Sequence, residues 1–230
     1  MTISDPNREQ LLRVAIALDD FLTEVVFVGG ATLGLLISDA AAPTVRPTDD
    51  VDIVVEVMSY VDYELSVAVR LRELGFVVCT EEGAPVCAWQ LGGLRVDVMP
   101  TNEKVLGFSN RWYEEVLQTA DLISIDGIVL RVVSPACFIA TKLVAFESRG
   151  EGDYYASQDL EDIVVLINGR PEVIDDLKAA STNVRVFVCK RVRDMLSSRD
   201  FLNALPGHVE AERDLVVLER LQHISAIGGD

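Results

Sequence analysis

Residues 26–55 read VFVGGATLGLLISDAAAPTVRPTDDVDIVV. An apolar strand runs into Gly29-Gly30, and after a short apolar helix and a proline-bearing loop the chain passes through Arg46-Pro47-Thr48 into Asp50-Val51-Asp52 and a second apolar strand. Side chains alternate along a strand, so Asp50 and Asp52 point to the same side with their backbones about 7 Å apart, within joint reach of one ion. Two like charges held so close repel, and a cation between them removes that cost. Hard oxygen donors without His or Cys suit Mg2+ or Mn2+, which commonly bridge carboxylates to substrate phosphates. Asp49 faces the other way by the same alternation and reads as an outward structural residue.

A third carboxylate, Asp97, lies between two valines in the strand Leu94-Arg95-Val96-Asp97-Val98-Met99. On a strand neighbouring Asp50 and Asp52 it completes a three-carboxylate cluster able to hold a metal pair. Gly29-Gly30, between a strand and a helix start, lets backbone approach a ligand closely and offers N–H groups that favour phosphate. Each signal has a bland counterpart. Glycine pairs at strand ends commonly serve as plain turns, and an isolated D-x-D is commonly a solvated turn or cap.

The chain has 230 residues, half of them hydrophobic and a quarter charged, which is ordinary for a globular protein with a sizeable core. Its longest apolar runs fall far short of a membrane span, and MTISDPNREQ has neither a basic leader nor an apolar signal core, so a cytoplasmic location with no membrane association is expected. Cys79, Cys87, Cys137 and Cys189 are widely spread with no C-x-x-C pair, which favours buried free thiols over zinc or disulfides. A formal charge of −17 argues against a protein that coats nucleic acid nonspecifically, because phosphate neutralisation needs clustered Lys and Arg. It leaves room for a local basic site.

Periodicity predicts an amphipathic helix over 8–23, strands over 25–28 and 51–57, a helix over 61–74 ending at Gly75, and strands over 76–79, 86–91 and 94–99, the last two joined by a Gly92-Gly93 hairpin. A helix over 111–119 and a strand over 127–133 follow. After Ser134-Pro135 the pattern turns helical, with helices over about 136–149, 157–168, 171–180, 183–199 and 208–226. The expected class is α/β (α+β): a mixed sheet with flanking helices over 1–133, then a helical domain over 134–230. GEGDYYAS at 150–157 is the best flexible loop.

The order Gly29-Gly30, short helix, loop, Arg46-Pro47-Thr48-Asp49-Asp50-Val51-Asp52 and then Asp97 resembles the DNA polymerase beta-like nucleotidyltransferase superfamily. That resemblance implies a nucleotidyltransferase-type mixed sheet, Mg2+ (or Mn2+) held by Asp50 and Asp52, and Asp97 as a third metal-site carboxylate that helps activate the attacking hydroxyl. The implied reaction transfers a nucleoside monophosphate from a nucleoside triphosphate and releases pyrophosphate. Further along, SPACFIATKLVAFESRGEGDYYASQDLEDIVVLI resembles the K-x-x-A-x-x-x-R and D-L-x-D pattern of AbiEii-type nucleotidyltransferases, which include toxins of toxin-antitoxin systems. The matching positions are Lys142, Ala145, Arg149, Asp159 and Asp162, and the resemblance covers roughly 25–168. It implies an acceptor at the tRNA 3' end or on a protein, and an antitoxin as partner.

Lys142 and Arg149 lie seven residues apart on one helix, nearly on one face, where both can reach a triphosphate while Asp159 or Asp162 orients Lys142. The plainer alternative makes Lys142 a surface lysine and Asp159 a helix cap beside Ser157. Thr48 and Arg46 either support the nucleotide or fix the loop. Trp112 or Tyr113 is a candidate wall of the nucleotide pocket, although core or hinge roles are commoner for such aromatics. Arg185, Lys190, Arg191, Arg193 and Arg199 form the most basic stretch, commonly just a solvated face, and His208 and His223 read as structural. Two alternatives stand beside the leading function: transfer to a small molecule of the aminoglycoside type, whose positive charge suits an acidic protein, and a non-catalytic nucleotide-binding or interaction module.

Overall fold

The computed structural model describes residues 5–148, 152–210 and 213–228. The chain divides into two compact units, a sheet unit (5–35 and 46–134) and a helical unit containing 36–45 and the residues from 135 onward.

Among the described residues seven strands form one mixed sheet in the order β3-β4-β5-β2-β1-β7-β6. They are β1 (Val25–Val28), β2 (Asp50–Val55), β3 (Val77–Val78), β4 (Ala88–Leu91), β5 (Leu94–Pro100), β6 (Asp121–Ile125) and β7 (Ile128–Val132). β2 pairs parallel with β5, β1 pairs antiparallel with β2, and β1 pairs parallel with β7. The central strands are the most apolar runs of the sequence, and Val25, Val26, Phe27, Val51, Ile53, Val96 and Val98 are fully buried. A strand covered on both faces reads as a continuous hydrophobic run, and β1 does. The helix Arg8–Leu18 buries Leu11, Val14, Ala15 and Leu18, one stripe at helical spacing, and packs on β2 and β7.

β6 is absent from the sequence expectation. Asp126-Gly127 is a D-G hairpin turn with both residues at positive φ (51° and 84°), and it folds β6 back on β7 with Ile125 opposite Ile128. The strand escapes notice because it is an edge: Leu122 is 72% exposed and only Ile125 is buried, so no apolar face marks it. The strand expected over 76–79 shortens to Val77–Val78, both exposed at the opposite edge.

The helical unit contains Pro135–Ser148, Gln158–Gly169, Val173–Ala179, Thr182–Leu196, Arg199–Ala204 and Asp214–Ala226. Serine caps set three of the starts: Ser157 accepts from the Leu160 N–H (3.3 Å), Ser181 from Val184 (3.4 Å) and Ser198 from Phe201 (3.4 Å). The helix expected over 183–199 ends at Leu196, and Ser198 starts a further helix, Arg199–Ala204, that periodicity does not show. The helix expected over 208–226 begins at Asp214, preceded by a 3-10 turn Leu205–His208. Gln158–Gly169 packs on Pro135–Ser148 and on Asp214–Ala226, burying Leu160, Ile163, Val164, Leu166 and Ile167. Residues 36–45, which a linear division assigns to the first half, belong here: the Ser38 and Asp39 N–H groups donate to the Gly169 carbonyl (3.1 and 2.9 Å), and Arg170 Nη1 donates to the Leu36 carbonyl (2.8 Å). Among the described residues no helix is long and apolar enough to cross a membrane.

Candidate active site

The parallel register of β2 and β5 sets Asp52 beside Asp97 and Asp50 beside Arg95. Because side chains alternate, all four lie on one face of the sheet. β1 runs antiparallel to β2 with Val28 opposite Asp52, so the chain turns at Gly29 right at the Asp52 position.

That turn explains the glycine. Gly29 has φ of 75°, and a Cβ built on it would lie 1.9 Å from Asp52 Oδ2. The carboxylate occupies the space that any other residue's side chain would need. Gly30 then begins a 3-10 turn, Gly30–Thr32, that passes into the short helix Leu33–Leu36, and the buried Thr32 closes the turn by donating its hydroxyl to the Gly29 carbonyl (2.8 Å).

The approach to Asp50 is clamped from the N-terminal helix. Asn7, wholly buried, accepts from the Thr48 N–H (2.9 Å) and donates its amide to the Arg46 carbonyl (3.1 Å). Gln10 donates to Asn7 Oδ1 (3.0 Å), to the Thr48 carbonyl (3.1 Å) and to the Thr48 hydroxyl (3.1 Å). Thr48 in turn donates its hydroxyl to the Asp50 carbonyl (3.0 Å). Each such bond contributes about 1 kcal/mol, and losing one buried partner costs about 1–3 kcal/mol. The Thr48 side chain is thus engaged inside the loop, fixing the backbone that presents Asp50. Asp49 is exposed.

Arg95 is the counter-charge of the cluster. Its guanidinium pairs with Asp50 and lies with Nε 3.3 Å from Asp97 Oδ1. Burial opposes the Arg95 charge, yet Asp97, Asp50 and Asp52 together hold it above its ordinary value. The same negative field reaches Cys87: burial first, then Asp97 and Asp52, push its thiol up to about 12. Among the described residues no three His, Cys, Asp or Glu side chains are grouped to hold a metal ion. At this site the donors are right in kind, three carboxylates at adjacent register positions with room for Asp52 against Gly29, and an arginine bridges two of them.

In the helical unit Lys142 is buried between two buried carboxylates, with Nζ 2.6 Å from Asp162 Oδ2 and 3.0 Å from Asp159 Oδ1. Burial works against its charge, and Asp162 and Asp159 more than offset it, so the ammonium is held above its ordinary value. Lys142 is therefore no surface lysine. Arg149 lies outside the described residues, as do Gly150 and Glu151 of the expected loop.

Other candidates have ordinary structural partners. Tyr113 is buried, with its hydroxyl on Met99 Sδ (2.9 Å), and Arg111 stacks on Trp112. In the basic stretch Arg185 donates to the Lys178 and Ala180 carbonyls, Arg191 pairs with Glu147 (2.7 Å) and Arg193 donates to the Ser225 carbonyl (2.8 Å). His208 bonds the Tyr154 carbonyl (2.7 Å), and His223 is exposed. Cys87, Cys137 and Cys189 are buried free thiols, while Cys79 is half-buried.

Sequence reasoning passed over Arg95, Asn7 and Gln10. A signal existed for Arg95, which stands two residues before Asp97 and shares its face. None existed for Asn7, which looks like an ordinary polar residue ahead of a helix.

No protein-family profile matches the sequence, and no curated protein matches it. Among solved structures the chain is similar to an antigenic nucleotidyltransferase-like protein from Paracoccidioides brasiliensis, with 22% identity and a TM-score of 0.52, covering 87% of this chain and 94% of that one. It is also similar to the antibiotic-resistance factor ANT(2'')-Ia, with 14% identity and a TM-score of 0.46, covering 82% of this chain and 92% of that one. The mixed sheet with flanking helices is the fold of nucleotidyltransferase-like proteins.

Proposed function

We propose that the protein is a metal-dependent nucleotidyltransferase that moves a nucleoside monophosphate from a nucleoside triphosphate to an acceptor hydroxyl. The observation that carries this reading is the fit of Asp52 into the space left by Gly29, in register with Asp97 and on one face with Asp50. Three carboxylates so placed have an electrostatic cost that a cation removes.

Asp50 and Asp52, joined by Asp97, would hold Mg2+ or Mn2+. When bound, such an ion supplies positive charge to the phosphate oxygens. The Asn7, Gln10 and Thr48 clamp fixes the backbone that presents Asp50 before the substrate arrives. Gly29-Gly30 presents backbone free of side chains to the triphosphate. Asp97 takes the proton of the acceptor hydroxyl as its oxygen bonds to the α-phosphorus, the bond from that phosphorus to the β-bridging oxygen breaks, and pyrophosphate leaves. The resemblance adds Lys142, Arg149 and Asp159 to the nucleotide-binding residues of this proposal.

Two acceptor classes follow from two observations. The Lys142 to Asp162 pattern resembles AbiEii-type enzymes and points to a tRNA 3' end or a protein hydroxyl, with an antitoxin as partner. The charge of −17 favours instead a small cationic polyol such as an aminoglycoside. Incubation with each α-labelled triphosphate, against total tRNA, protein and a panel of cationic drugs, tests both. Label should appear in one acceptor class and vanish in Asp50→Asn and Asp52→Asn, which should fold normally. Full transfer by both variants would remove the carboxylates from the mechanism.

A further inference from the structure

Three carboxylates on one sheet face need a counter-charge at all times, including before any substrate arrives. The chain itself supplies one. Arg95 faces Asp50 across the β2/β5 register, and its guanidinium bridges Asp50 and Asp97. A metal ion entering the cluster has to take carboxylate oxygens that the arginine already engages. We propose that Arg95 is an internal counter-ion that a divalent cation must displace, which makes metal capture depend on the nucleotide arriving with it.

This inference rests on the nucleotidyltransferase reading and concerns how that same site is loaded. Exposure of the groups bears on it directly. The Arg95 side chain is 38% exposed and that of Asp50 26%, against 10% for Asp97. The guanidinium therefore has a route toward solvent, while the carboxylate beside Asp52 stays sheltered. A bare ion that displaces Arg95 leaves the arginine without its carboxylates. An ion that arrives on a triphosphate brings new anionic oxygens, to which a guanidinium binds in bidentate fashion. Metal and nucleotide are then coupled: each makes the other bind more tightly by the same factor.

The test is the affinity of the protein for Mn2+, read from the spin-resonance signal of the free ion, without and with a triphosphate whose α–β bridge cannot be cleaved. Wild type should bind bare Mn2+ weakly and bind it much more tightly with the analogue. Arg95→Gln should bind bare Mn2+ more tightly than wild type, within the usual coupling range of about 5- to 150-fold, and should gain less from the analogue. Arg95→Lys, which keeps the charge and loses the fork, should stay closer to wild type, and Arg95→Met, uncharged and of similar length, replaces the glutamine variant if that does not fold. Circular dichroism checks the fold of each. Bare Mn2+ affinity unchanged in both variants, with Asp52→Asn still weakening it, would overturn the counter-ion and leave the metal site standing. No Mn2+ bound by wild type even with the analogue would overturn the nucleotidyltransferase reading, and the counter-ion with it.

Discussion

Gly29 carries two separate constraints, its positive φ and the carboxylate 1.9 Å from where its Cβ would be, and a pair of substitutions separates them. Gly75 has φ of 88° with nothing within 4 Å of an added Cβ, so Gly75→Ala meets only the backbone cost, about 1–2 kcal/mol. Gly29→Ala adds overpacking of about 1–3 kcal/mol, because the atom it meets belongs to a side chain held in a strand. Relief comes from shortening that side chain. Urea denaturation should show Gly29→Ala costing more than Gly75→Ala, and costing no more than Gly75→Ala once Asp52→Ala is also present. Independent, additive losses in that double variant would mean that Asp52 is not what the glycine accommodates.

The helix pair Pro135–Ser148 and Gln158–Gly169 is joined by more than apolar packing. Lys142 sits between Asp159 and Asp162 with all three side chains buried, so removing the lysine leaves two carboxylates out of water with no cation. Breaking a buried ion pair in this way costs about 3–5 kcal/mol. Lys142→Met should lose stability on that order in urea at neutral pH, and a penalty that survives when both carboxylates are removed as well would rule out the stranded carboxylates as its cause. Replacing Asp159 and Asp162 by Asn in the same variant removes both charges. If the refolded triple variant has lost triphosphate affinity, the trio of Lys142, Asp159 and Asp162 serves the nucleotide as well as the helices.

Much of this was legible in the residues, and the physical reasons for the gaps are specific. β1, β2 and β5 are buried strands whose apolar runs stand out, and alternation puts Asp50 and Asp52 on one face, to which the β2/β5 register adds Asp97. Edge strand β6 has no buried face to produce a pattern, and its Asp126-Gly127 turn was its only mark. Asn7 and Gln10 act across about forty residues of sequence on the Thr48 loop, and no periodicity reports a contact of that range. That Arg95 shares the face of Asp97 is legible from its strand alone, but its meeting with Asp50 needed the β2/β5 register, which follows from pairing.

The charge of −17 acts on the molecule as a whole and must be distinguished from the local cluster in any measurement of metal binding. Self-repulsion opposes the compact state, and salt screens it, with a Debye length falling from about 30 Å at 0.01 M to about 10 Å at 0.1 M. Any salt should therefore raise the melting temperature, metal site or not. Specific binding adds a second effect of different origin: a ligand at 100 times its Kd stabilises the folded state by about 2.7 kcal/mol. At about 2–4 °C per kcal/mol for a chain of this size, that is a further rise of about 5–11 °C. Sodium chloride should raise the melting temperature of wild type and Asp52→Asn alike. Mn2+ with the uncleavable triphosphate, at matched ionic strength, should give the further rise in wild type only. Equal rises in the two proteins would assign the whole effect to screening, and the three carboxylates would then have no specific claim on the ion.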